Sequence, residues 1–518
     1  MKLTQRFAGV ALFGVMALAQ PRASLAQEAP APPAVPALRE YQAPAASDPL
    51  RDVFTPRPSG LTADLVAQRA AASSNTIAAK NAELRAAAAK VDAAMYQFLP
   101  SLNLKAGYTR VNRVVASLGS GGLLASSGTG PFTVGNYSVT DPTTGELRSG
   151  QGLVDENNNP VGAYAVAFPS YVNTYSLGAS LSVPLSDYVL RMVDSIKGTK
   201  LNREAAALTA RAERAKVEGD ARVAFFNWAR ALGQVAVTEK SLERVQARLK
   251  DVESSFAVGM VTKANLLRMR AQVAATFSAL QAAKGFRDLA EQQLAVIMHD
   301  AGSKYTLGEN VLVQSAPAPT ESVDDLVTEA QRSRLELKAL ERNAQALSKA
   351  ESVVGAGRYP RVDAFADYTY ANPNQRYMLQ LGWKSSWAVG LQATWTMNDI
   401  LVNQASMREY RANREAVQAN RDALAEGIRL EVTSAYTDQH RASAELDAAQ
   451  RSAEASQAAY DTSIQLYKVG KTTTTELIDA EGDLVSSSLR LINAQLDVKV
   501  AETKLTHATG RDLPRLSN

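Results

Sequence analysis

Leu466-Tyr467-Lys468-Val469-Gly470-Lys471-Thr472-Thr473-Thr474-Thr475-Glu476-Leu477-Ile478-Asp479-Ala480 reads as a tight turn between two helical stretches, and the turn occurs twice. The counterpart runs from Phe256 through Val258, Gly259, Met260 and Thr262 to Ala271, with Gly470 lying 211 positions after Gly259. In each copy a glycine follows a helical run, where a left-handed residue is expected after the C-cap. Three positions on stands a threonine, Thr262 or Thr473, of the kind that N-caps a new helix. A turn that recurs at long range points to an internal repeat.

Working outward, the repeat extends over most of the chain. Phe98-Leu99-Pro100 opens the segment Ser101 to Tyr108, and Arg358-Tyr359-Pro360 opens Arg361 to Tyr368, at an offset of 260. Tyr175-Ser176-Leu177-Gly178 matches Trp387-Ala388-Val389-Gly390 at 212, and Asp187 matches Asp399 at the same distance. The offset falls by 48 between the first pair and the second and then holds to within one residue. One insertion in the first repeat, between Gly107 and Tyr175, accounts for the difference. Each repeat therefore has one element order. An amphipathic helix, 61–97 or 322–355, precedes two strand-like segments. A long helix follows, 188–256 or 399–467, and after the glycine turn a last helix reaches His299 or His507. The long helices contain no proline and span roughly 100 Å at 1.5 Å per residue. Helices of that length make a rod or the wall of a large tube rather than a compact core.

The strand-like segments alternate. Leu102, Leu104, Ala106 and Tyr108 oppose Ser101, Asn103, Lys105 and Thr109, and Tyr175, Leu177, Ala179, Leu181, Val183 and Leu185 oppose Ser176, Gly178, Ser180, Ser182 and Ser186. In the second repeat Val362, Ala364, Ala366, Tyr368 and Tyr370 form one face of the third strand. Trp387, Val389, Leu391, Ala393, Trp395 and Met397 form one face of the fourth. About ten alternating residues with aromatics near the ends fit lipid-facing strands of an outer-membrane barrel, although a soluble antiparallel sheet with one wet face alternates identically. Four strands cannot close a barrel that passes solute, and an open edge is not tolerated in lipid. Several chains must pool their strands.

Composition narrows the class further. Residues 1–26 read as a secretory signal, with Lys2 and Arg6 ahead of an apolar run and Ser24-Leu25-Ala26 at the cleavage site. The formal charge of +4 loses Lys2, Arg6 and Arg22 on processing, leaving 53 basic against 52 acidic residues. Nucleic-acid binding is therefore not indicated. The absence of cysteine excludes disulfides, thiolate chemistry and cysteine metal sites. His299, His440 and His507 are far apart and read as structural, so neither a metal nor a cofactor is expected. Residues 27–60 are rich in proline and alanine and read as an extended segment. Gly470-Lys471-Thr472 lacks the glycine five positions earlier that a phosphate loop needs, Gln465 standing there instead. With no catalytic constellation discernible, an enzyme is not expected.

The repeated order of helix, Leu-Pro-x-Leu-x-Leu strand, hairpin, long helix and Val-Gly-x-x-Thr turn resembles the TolC family of outer membrane efflux proteins. The resemblance covers about 61–511, with a first repeat at 61–301, a linker at 302–321, a second repeat at 322–511 and a tail at 512–518. It implies a mainly helical homotrimer with a transmembrane β portion. Three chains would form a twelve-stranded outer-membrane β-barrel continued by a periplasmic α-helical barrel, anchored in outer-membrane lipid, with the insertion 110–174 as an enlarged extracellular loop. It further implies an exit duct for export, small-molecule efflux being favoured over type I protein secretion. The partners implied are a periplasmic adaptor and, indirectly, an inner-membrane pump. Val258, Gly259, Met260, Thr262, Val469, Gly470 and Thr473 would meet the adaptor. Glu476 and Asp479, three apart and so on one helix face, would form acidic rings at a periplasmic gate. Thr473 and Glu476 also fit a capping box, which would assign Glu476 to the helix start. From another class, a periplasmic coiled-coil scaffold or adaptor remains as the rival reading, to be separated by whether extraction needs detergent.

Overall fold

The structure, a computed structural model, describes residues 53–113, 123–125, 130–164, 171–300, 304–312, 320–377 and 380–512. The expected signal 1–26, most of the segment 27–60, the glycine-rich part of the insertion from Ser117 to Gly122, much of the linker and nearly all of the tail lie outside these residues.

The main elements recur in the same order in the two halves of the chain, the first half having in addition a short helix and the strands of its insertion. The first contains α1 (Ala63–Ser73), α2 (Asn75–Tyr96), β1 (Ser101–Arg110), β6 (Asn173–Val183), α3 (Leu185–Leu190), α4 (Met192–Ala257) and α5 (Lys263–Met298). Strands β2 (Leu123–Ala125), β3 (Thr133–Thr140), β4 (Leu147–Val154) and β5 (Gly162–Tyr164) lie within its insertion. The second repeat contains α6 (Val323–Ser333), α7 (Leu335–Gly355), β7 (Arg361–Asn372), β8 (Lys384–Thr394), α8 (Met397–Lys468) and α9 (Thr474–Thr509).

The single opening helix expected in each repeat is divided. Thr62 and Ser322 cap the first pieces, accepting from the N–H of Leu65 and of Asp325. At Ser74 and Arg334, ψ of 124 breaks the helix and starts a second piece. Ser74 supplies its hydroxyl to Ile77 N–H, whereas Arg334 gives no side-chain cap and instead ion-pairs with Glu336 and Glu431. Both pairs of positions are 260 apart, as the sequence offset requires. The long helices are confirmed at 66 and 72 residues, or about 100 Å each. The first is preceded by a short helix with a break at Arg191, within the stretch where the offset changes by one residue.

Strands β1, β6, β7 and β8 form one antiparallel sheet in that order. The register joins Leu102, Leu181, Ala366 and Val389 in one row, and Leu104, Ala179, Tyr368 and Trp387 in another. Asn103, Ser180, Asp367 and Ala388 fill a row of the opposite face. The alternation in sequence thus becomes one continuous apolar face and one polar face. Four positions assigned to strands fall elsewhere. Leu185 and Ser186 lie in α3 because Pro184 ends β6, Trp395 lies beyond the end of β8 at Thr394, and Met397 starts α8 after Thr396. In the insertion β3 and β4 pair as a separate hairpin, which the sequence did not indicate.

No described helix is long and apolar enough to cross a membrane. The largest core cluster sits where α1, the end of α5 and the middle of α9 pack against the middle of α4. It includes Phe225, Trp228, Leu294, Met298, Ile492 and Leu496. A second cluster places Leu326 and Ala330 of α6 against Ile428 and Val432 of α8.

The three histidines have structural roles. His299 takes the left-handed C-cap position of α5 at φ 52, and the His440 ring lies 4.4 Å from that of Tyr436. His507 Nδ1 is 2.8 Å from Asp512 Oδ2. That hydrogen bond raises the His507 pKa above 6.5, against burial and the charge of Arg334. A raised folded-state pKa gives stabilisation that is complete below the unfolded value and lost as pH rises through the folded one. His507→Gln is therefore expected to flatten the decline of thermal stability between about pH 6 and pH 9. Parallel declines in both proteins would rule this contribution out.

Candidate functional site

The two helical turns are built alike. Gly259 and Gly470 take left-handed φ of 78 and 71. Gly259 N–H donates to Phe256 and Met260 N–H to Ser255, while Gly470 N–H donates to Tyr467 and Lys471 N–H to Leu466. This is the Schellman pattern, in which the last carbonyls of the helix are satisfied by the reversing chain. Thr262 then accepts from Asn265 N–H and Thr473 from Glu476 N–H, so each new helix begins with a capped turn. The consequence is exposure. Val258, Met260 and Val469 are 71%, 81% and 66% exposed, and apolar side chains at both tips project away from the helices.

The starts of α5 and α9 differ in charge. Glu476 completes a capping box: its Oε2 accepts from Thr473 N–H at 3.0 Å and also from the Thr472 hydroxyl. The Thr472 bond first, and the Thr473 backbone second, hold the Glu476 carboxyl below its ordinary pKa. One turn along, Asp479 is exposed and has no ion pair or hydrogen bond among the described residues. Arg268 holds the matching position in α5, and its Nη1 donates to Thr475 Oγ1 at 2.7 Å across the two helix starts. The structure thus brings Glu476 and Asp479 to one helix end but gives them different surroundings. Glu476 is bound into the cap, and Asp479 is free.

A buried polar node above the tips was not anticipated. Glu481 is 6% exposed, and its Oε1 accepts from Arg244 Nε at 2.8 Å and from Ser241 Oγ at 3.2 Å. The Arg244 guanidinium also lies over the ring of Tyr460 of α8, 5.8 Å from its centroid. Burial first, and the Glu481 charge second, push the Tyr460 phenol up to about 12. The node joins α4, α8 and α9, and the only local signal was a glutamate placed among the apolar positions of α9.

At the opposite end, Leu104, Trp387, Val389 and Leu391 on the apolar sheet face are all strongly exposed. The two outer strands, β1 and β8, each have an edge with no partner strand among the described residues.

Comparison with known proteins gives concordant results. Outer membrane efflux protein BepC of Brucella suis biovar 1 (strain 1330) is 32% identical over 107 residues. This match spans 21% of the chain and only 24% of that relative's length. The fold resembles crystal structures of CusC, with a TM-score of 0.67 at 16% identity, covering 91% of this chain and 98% of that one. It also resembles the Campylobacter jejuni CmeC outer membrane channel, with a TM-score of 0.66 at 14% identity, covering 93% and 96%. The sequence model for outer membrane efflux proteins matches residues 66–298 and 326–511, one block for each repeat. With both repeats matched, the chain belongs to the outer membrane efflux protein family.

Proposed function

We propose that the protein is the passive exit duct of a tripartite export system, conducting small molecules from the periplasm to the cell exterior. The observation that carries this reading is the sheet with two open edges standing on helices about 100 Å long. An unpaired edge is costly in lipid, so β8 of one copy must pair with β1 of the next until the ring closes. Three copies give twelve strands, with the apolar rows facing lipid and the polar rows facing the lumen. The helices then continue the channel through the periplasm, with no catalytic step along it.

The tips are assigned to an adaptor protein. Val258, Met260 and Val469 offer the apolar contact, Gly259 and Gly470 the sharp reversal, and Thr262 and Thr473 the caps that fix it. Cargo selection belongs to the inner-membrane pump that the adaptor connects.

Asp479 is the gate residue. An unpaired carboxylate repeated three times around a narrow entrance attracts cations and resists closure by mutual repulsion. Glu476 contributes less, because one of its oxygens is committed to the cap. In planar bilayers the purified protein is expected to conduct with cation selectivity. Asp479→Ala should reduce that selectivity several-fold, and Glu476→Ala should do so to a smaller extent. Unchanged selectivity in Asp479→Ala would exclude the gate role, and no conductance in the parent protein would exclude the duct.

A further inference from the structure

Within one chain the two repeats are joined along α4. This helix packs on α7 and α9 of the second repeat, and β6 pairs with β7. The repeat maps those contacts onto α8 with α2, α8 with α5, and β8 with β1, none of which occurs as extended packing among the described residues.

We propose that the α5 face from Arg270 to Val296 receives the α8 face from Leu430 to Ala455 of a second copy, in the register that α9 adopts on α4. This rests on the ring assembly proposed above, and it specifies which residues meet at the seam. Ala224-Phe225 and Arg230-Ala231 of α4 match Ala435-Tyr436 and Arg441-Ala442 of α8, each 211 apart, as are Gly259 and Gly470. Burial supports the mapping independently. Phe226, Gly233 and Val237 are buried in α4, and their counterparts Thr437, Ala444 and Ala448 are exposed in α8. The exposed α8 stripe is therefore the one whose partner is missing.

The internal joint fixes the pairs. A Cβ on Gly219 would lie 3.9 Å from the His507 ring, and one on Gly233 would lie 2.9 Å from Ile492. Arg230 pairs with Asp497 at 2.5 Å. Transposed by 211, Leu430 faces Val296 of the next copy, Ala444 faces Gln281, and Arg441 faces Phe286. Leu430 and Val296 are each 72% exposed in the single chain, and the seam removes both from water together. Arg441 over the Phe286 ring replaces the ion pair of the internal joint with a cation–π contact. The Glu481 node has no counterpart at the seam either, because Arg244 maps to Ala455 and Glu481 maps to Arg270. Ion-paired crosslinks at these levels thus lie within chains, and the transposed seam positions carry neither carboxylate, Asp497 being replaced by Phe286 and Glu481 by Arg270.

The chain has no cysteine, so engineered pairs report without background. On oxidation with copper phenanthroline, Leu430→Cys with Val296→Cys is expected to convert most of the monomer band on non-reducing gels into linked dimers and trimers. Disulfide geometry tolerates only a few ångströms of mismatch. Leu430→Cys with Phe286→Cys, displaced by ten residues or roughly 15 Å along the helix, should not link, nor should either single variant. Native mass spectrometry of the same samples separates the two levels. Trimers without linkage, or linkage through Phe286→Cys or a single cysteine, overturn the register. Monomers alone overturn the ring on which it depends.

Discussion

Trp228→Ala is expected to destabilise the protein by about 3–5 kcal/mol, the range for removing a large aromatic from a packed core. Trp228 is 0% exposed. Its ring lies 5.8 Å from that of Phe225 and 6.3 Å, edge-on, from that of Tyr305. These contacts sit where α1, the end of α5 and the middle of α9 meet the middle of α4, so a cavity there loosens several helices together. The indole Nε1 has no hydrogen-bond partner among the described residues. Trp228→Phe therefore keeps most of the packing, loses no internal hydrogen bond, and should cost less than about 2 kcal/mol. The pair of variants separates volume from polarity. Denaturant midpoints of helix loss by circular dichroism, at fixed protein concentration in detergent, provide the measurement. Equal losses in both variants would contradict the assignment to volume. The counterpart in the second repeat is Gln439, which is also buried and whose Oε1 also lacks a partner among the described residues. The two repeats thus place different side chains at one core position, and neither satisfies its polar atom there.

Features set by short-range physics were legible in the sequence. The left-handed glycines at 259 and 470, the threonine caps beside them and the period-2 rows of β1, β6, β7 and β8 each depend on a few neighbouring residues. The 260 offset also predicted that whatever happened near Ser74 would happen near Arg334. It did not predict that the helix would break there. Alanine-rich sequence on both sides of Ser74 favours continuation, and the break becomes apparent only once α1 is held against α4. The β3–β4 hairpin in the insertion escaped notice because its turn, around Gly145, carries no two-residue hairpin signal.

At the candidate gate the sequence left two readings of Glu476, a pore carboxylate or a cap. The capping box forms, and with it the two acids cease to be equivalent. Glu481 was illegible for a different reason. Its hydrogen-bond partners Ser241 and Arg244 come from another helix, and no local pattern pairs positions 240 residues apart. Such a node has a mechanical consequence. Below it, Arg268 with Thr475 is the exposed hydrogen bond that links the helix starts of the two repeats. The tips are thus less firmly tied than the wall above them.

Arg244→Ala is expected to cost about 3 kcal/mol, the lower end of the range for stranding a buried charge. Glu481 would keep only the Ser241 hydroxyl as a hydrogen-bond partner among the described residues, in a site 6% exposed. The lower end applies because the Arg244 side chain is itself 25% exposed and its charge is partly solvated. Glu481→Gln retains an acceptor for Ser241 and should cost about half as much. Replacing both residues, Arg244→Met with Glu481→Leu, removes the charges together and should be close to neutral, because an apolar pair of similar volume avoids the desolvation of both ions. The double variant is then more stable than the sum of its parts by about 2 kcal/mol or more, the signature of direct coupling. Strict additivity would show that the two side chains act independently. The same set also tests the mechanical role. If the node ties the two repeats of one chain together, the charge-free double variant should restore stability and leave the cation selectivity at Asp479 unchanged, because apolar packing can replace the tie. Recovered stability with altered selectivity would instead place Glu481 in the gate itself.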